Sequence, residues 1–85
     1  MEYKIGQIVY SKAGRDCGKE FVVVGIEGEY LYLSDGATRK LESPKKKKLK
    51  HIQGSYNVSE EIAEKILDKT IENYMLRQFL THKGV

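Results

Sequence analysis

The chain has 85 residues, 40% of them hydrophobic and 32% charged, which excludes a disordered segment and leaves room for only a small core. A single cysteine excludes an internal disulfide framework and points to a reducing cytoplasm. No apolar run is long enough to span a membrane, and Glu2, Lys4 and Gly6 interrupt any secretory leader. The net charge of +3 conceals an asymmetry: residues 1–53 hold eleven Lys/Arg against seven Asp/Glu, whereas residues 54–85 hold four against five. Basicity gathered in one segment favours a polyanionic partner.

The first predicted strand is Gln7–Ser11, with Ile8 and Tyr10 on one face and Val9 on the other. A polar loop follows, Ala13-Gly14-Arg15-Asp16-Cys17-Gly18-Lys19. Its two glycines permit positive φ at both ends, and Lys12, Arg15 and Lys19 surround it with cations and backbone amides. The second strand, Glu20–Ile26, is almost continuously apolar, which predicts burial on both faces or strong curvature. Gly25 marks a bend or bulge there. The third strand, Tyr30–Ser34, alternates cleanly, Leu31 and Leu33 opposite Tyr30 and Tyr32. Asp35-Gly36 is a turn signal. A short fourth strand is expected around Thr38–Leu41, broken by Ser43-Pro44. The lysine run Lys45–Lys48 then reads as an exposed loop, and a last strand follows around Leu49–Gln53.

Five short strands in this space predict a small SH3-like barrel over residues 1–54. Residues 55–85 read as one amphipathic helix. Its stripe runs Ile62, Ala63, Ile66, Leu67, Ile71, Tyr74, Met75 and Phe79, with Asn57 or Ser59 as N-cap. Glu60, Glu61 and Glu64 favour the positive end of the dipole, and Arg77, His82 and Lys83 the negative end. The chain is thus expected to be mainly β with a C-terminal α-helix. The stripe needs a surface, and its own barrel is the default partner; homodimerisation or docking on another protein are the alternatives.

The run from Gly6-Gln7-Ile8-Val9-Tyr10-Ser11 through Lys19 into Val22-Val23-Val24 resembles a KOW motif. Asp35-Gly36-Ala37-Thr38-Arg39-Lys40 and Pro44 to Ile52, ending Leu49-Lys50-His51-Ile52, extend the likeness. The region up to Ile52 is similar to the KOW domain of the large-subunit ribosomal protein fourteen-e family and, closer still, to small bacterial KOW-type RNA-binding relatives. The resemblance implies an SH3-like barrel and RNA binding, with a role in translation or ribosome assembly on ribosomal or other structured RNA.

Read from the residues, the expected RNA contacts come from two segments. The first holds Lys12, Gly14, Arg15 and Lys19. The second holds Arg39, Lys40, Lys45, Lys46, Lys47, Lys48, Lys50 and His51. Such cations grip phosphates and fix affinity rather than base sequence. Tyrosines, Tyr10 and Tyr32 foremost, offer stacking surfaces, although rings in small barrels more often cover the core. Cys17 reads as a bystander, and a metal site is not expected because His51 and His82 have no second cysteine to join. No nucleophile triad, phosphate-binding loop or carboxylate pair stands out, so neither catalysis nor a cofactor is expected. The competing reading is a protein-binding SH3-like module of the transcription or translation machinery, or a structural dimer subunit.

Overall fold

The computed structural model describes residues 2–82, with the backbone alone at His82. It is mainly β. Five strands run Gln7–Ser11 (β1), Glu20–Glu27 (β2), Tyr30–Ser34 (β3), Lys45–Lys48 (β4) and Ile52–Val58 (β5). Two helices follow, Glu60–Leu67 (α1) and Asn73–His82 (α2). All neighbouring strands are antiparallel, in the order β4-β3-β2-β1-β5. Among the described residues the ladder does not close: β4 pairs only with β3, and β5 only with β1.

The near-continuous apolar run of β2 is buried on both faces, as its composition requires. Phe21 and Val23 face one cluster with Val9, Leu31, Leu33 and Ile52, rimmed by Tyr3, Ile5 and Leu49. Val22 and Val24 face the other, under the helices, with Ile62, Leu76, Leu41, Ile66 and Met75. Most of the helical stripe is therefore covered by Val22 and Val24 of the sheet and by the two helices against each other, while Leu67 and Tyr74 are exposed. Gly25 lies at a register shift between β2 and β3, where the strand bends.

Three expectations are corrected. Thr38–Leu41 is not a strand, because Asp35 turns the chain back on itself. Its carboxylate accepts from the amides of Ala37 and Arg39 and from the Thr38 hydroxyl, at 2.7–2.8 Å. The fourth strand is instead the lysine run, so Lys45–Lys48 is ladder and not loop. The last strand starts later than expected: Leu49–His51 forms a 3-10 turn, and β5 runs from Ile52 through residue 54 to Val58.

The single helix is also two. Ser59, not Asn57, is the N-cap of α1, its hydroxyl accepting from the Ile62 amide at 3.1 Å. The helix ends in a Schellman turn: the Thr70 amide donates to Lys65 O at 2.9 Å and the Lys69 amide to Ile66 O at 3.3 Å, with Lys69 at φ 65°. The side chain of Asp68 accepts from the Thr70 amide and hydroxyl and holds that turn. Lys83 and Gly84, expected at and beyond the helix end, lie outside the described residues.

Candidate nucleic-acid interface

The loop between β1 and β2 takes its shape from its glycines. Gly14 and Gly18 have φ of 80° and 87°, a region where a side chain costs about 1–2 kcal/mol. The ends of the loop are tied: Ser11 N donates to Lys19 O at 3.0 Å and Gly18 N to Ser11 O at 2.8 Å. The amides of Cys17 and Lys19 are also used internally, so the loop offers fewer amides than its sequence suggests. Among the described residues, those of Gly14, Arg15 and Asp16 take no partner. Exposed Cys17 donates its thiol to Lys12 O at 3.4 Å.

Strand pleating sorts the four lysines of β4 to opposite faces. Lys45 and Lys47 stand with Leu33 and Leu31 and reach the β1–β2 loop. Lys47 is only 9% exposed. Its stem lies along the core and its ammonium donates to Ala13 O at 2.9 Å. Lys45 forms an ion pair with Asp16. The hydrogen bond from Lys45 holds the Asp16 carboxyl below its ordinary value against the opposing effect of desolvation, and the charges of Arg39 and Lys19 act in the same direction. Arg39 and Lys19 thus belong to the same electrostatic neighbourhood.

Lys46 and Lys48 face the other way, with Tyr32 and Tyr30. The Lys46 ammonium stands 4.8 Å from the Tyr30 ring centroid and 5.8 Å from that of Tyr32, and Lys48 stands 6.0 Å from Tyr30. Lys46 also pairs with Glu27 at 3.1 Å. That contact raises the Lys46 pKa and lowers that of Glu27, but both groups are well exposed and the pair adds little stability.

The expected contact residues therefore divide. Lys12, Arg15 and Lys19 are exposed on the loop, and the Lys12 amide donates to His51 O at 2.8 Å, which draws the 3-10 turn with exposed Lys50 and half-buried His51 to the same side. Among the described residues, Lys12, Arg15, Lys19 and Lys50 make no ion pair. Lys45 and Lys47 belong to this side as supports for the loop, and Lys47 is not the exposed residue the sequence suggests. Lys46 and Lys48 lie on the opposite face. Lys40 is exposed on the segment leading to Leu41, which packs with the helices.

The segment 35–42 is held by α2. Arg77 Nη1 donates to Gly36 O at 2.6 Å, Asn73 Oδ1 accepts from Leu41 N at 2.8 Å, and Asn73 Nδ2 donates to Glu42 at 2.9 Å. Desolvation alone would raise the Asp35 carboxyl, but the hydrogen bonds from Arg39, Ala37 and Thr38 outweigh it and hold it below its usual value. Sequence reasoning missed Asn73 and Arg77 as loop anchors; their separation in sequence from the loop leaves no local signal. Compared with protein-family models and with curated proteins, the chain matches none.

Proposed function

We propose that the chain is a non-enzymatic RNA-binding module of the cytoplasm, an SH3-like KOW barrel that grips the phosphate backbone of ribosomal or other structured RNA in translation or ribosome assembly. The observation that carries this reading is the braced β1–β2 loop. Two lysines of β4 hold it from beneath, through Ala13 and Asp16, while Lys12, Arg15 and Lys19 stay exposed and without ion pairs among the described residues. A cation on a fixed loop loses less freedom on binding a phosphate than one on a mobile tail. The strand order and the 3-10 turn between β4 and β5 support the barrel reading. Residues 2–82 contain no helix long and apolar enough to cross a membrane.

Phosphate gripping of this kind selects for shape more than for base sequence. The test is titration of a structured RNA hairpin over a range of salt. With about four or five phosphates neutralised, log K falls against log salt with a slope of roughly −3 to −4. Reversal of the loop charges, K12E/R15E/K19E, lowers affinity at least about tenfold without shifting the melting temperature. A slope near zero, or full affinity in the triple variant, overturns the reading.

A further inference from the structure

A groove of about 430 Å³ opens on the helix-bearing side of the sheet, between the β2 bulge and the α1–α2 turn. Its walls include Val24, Gly25, Tyr32, Pro44, Ile66 and Lys69. We infer that this groove takes one unpaired base of a bound RNA strand, stacked on Tyr32, with Lys69 and the Lys46–Lys48 face receiving the flanking phosphates. The inference rests on the RNA-binding reading and adds to it a second contact, on the face of β4 opposite the braced loop.

The ring of Tyr32 is fixed before any ligand arrives. A Cβ at Gly25 would lie 3.1 Å from Tyr32 Cδ2, so the absent side chain lets the ring rest on the β2 backbone. At its other end the hydroxyl donates to Glu27 Oε1 at 3.0 Å. A ring held at both ends is a stacking surface that loses little freedom on binding. The size falls within the range of small-ligand sites.

Charge decides between occupants. The lining has one ionisable group besides the tyrosine hydroxyl, the ammonium of Lys69, and no carboxylate. Beyond Tyr32 stand Lys46 and Lys48, each beside a tyrosine ring. Glu27 is already engaged by Lys46 and by the tyrosine hydroxyl, and Glu42 and Asp68, next in sequence to the lining residues Leu41 and Lys69, accept from Asn73 and Thr70. An apolar floor rimmed by cations matches a base between two phosphates. An apolar or basic peptide would leave Lys69 unmatched or repelled.

The intact protein is titrated by fluorescence anisotropy with a labelled single-stranded decaadenylate and with the same decanucleotide lacking its bases. The base-bearing strand binds about tenfold tighter. Tyr32→Leu brings both strands to the abasic value, and Pro44→Ala, outside the strand ladder, narrows the gap severalfold; thermal melts confirm that each variant is folded. Equal binding of both strands, fading alike with salt, refutes the base site and leaves the phosphate grip standing. A preference that survives in folded Tyr32→Leu also refutes it. Binding of neither strand, nor of a structured hairpin, removes the RNA reading and this inference together. If a proline-rich decapeptide binds in a Tyr32-dependent manner and the two strands do not differ, the groove is a peptide site and the inference is overturned.

Discussion

The loop Ala13–Lys19 and the segment Asp35–Glu42 look alike in sequence: each combines glycine, aspartate and basic residues, and each holds residues expected to meet RNA, Arg15 and Lys19 in the first and Arg39 and Lys40 in the second. The structure treats them differently. The first is braced only from below, by Lys45 and Lys47, and its glycines face open space; the nearest atom to a Cβ on Gly14 would be Lys47 Nζ at 3.9 Å, and none lies within 4 Å at Gly18. The second is clamped from outside by α2, and a Cβ on Gly36 would stand 2.2 Å from Asn73 O. Glycine in the first loop answers a need for backbone conformation. In the second it answers that need and a close approach of another chain segment. A loop free on its outer side can serve a ligand, whereas a clamped one mainly holds the helices to the sheet.

The comparison is tested most severely at the glycines. Gly36→Ala adds a backbone clash to the strain of φ +76° and is expected to cost about 3 kcal/mol or more in urea denaturation. Gly14→Ala meets only the strain and costs about 1–2 kcal/mol. Equal losses at the two positions would show that the α2 clamp contributes nothing.

Next in size is the brace. Lys47→Ala removes a buried stem and the bond to Ala13 O, for a loss of about 2 kcal/mol, whereas Lys48→Ala stays within about 0.5 kcal/mol. Similar stabilities for the two variants would return the lysine run to the status of a solvated segment.

A smaller effect separates the two aspartates. Both carboxyls titrate below their ordinary values in the folded chain. Each therefore contributes stability that is complete above the ordinary carboxylate pKa of about 4 and is lost as pH falls through the lower folded value. Asp35 accepts three hydrogen bonds within its own turn, while Asp16 depends on one flexible lysine. Thermal melts between neutral and strongly acid pH should lose more of their pH dependence in Asp35→Asn than in Asp16→Asn.

Smallest of all is the effect of outward charge on folding. Arg15→Glu or Lys19→Glu should leave the urea midpoint within about 0.5 kcal/mol of the parent while weakening RNA binding. A large stability loss at either site would mean that the loop's outer side is structurally engaged.

The first three strands were legible because their apolar residues either alternate or run continuously between glycine-rich turns, and the positive φ of Gly14 and Gly18 followed from their settings. The fourth strand was hidden because four identical polar residues carry no period. Only the pairing with β3 reveals that Lys47 buries its stem while Lys48 does not. The helix break was hidden because the apolar spacing of four continues from Leu67 to Ile71 and Met75 across the turn, and because the left-handed position is filled by Lys69 where glycine would announce it. At the candidate site, the cations could be read but not their partners. Asp16 and Ala13 each remove a lysine from the free set through contacts that only the fold creates.

The open ladder leaves two strands with unpaired flanks, and each discourages a further strand by a different means. Along β4, a second copy laid alongside would oppose lysine to lysine over the whole strand, a repulsion that acts in partly folded states as well as in the finished protein. Along β5 no residue is charged; there the register with β1 shifts, so that Ser55, Tyr56 and Asn57 stand against Ile8 alone, and Ser55 fixes the distortion by donating to Ile8 O at 2.6 Å. The distorted strand offers no regular template for growth. The same lysines that brace the loop thus also guard a small, half-open sheet against aggregation at the concentrations at which it is made.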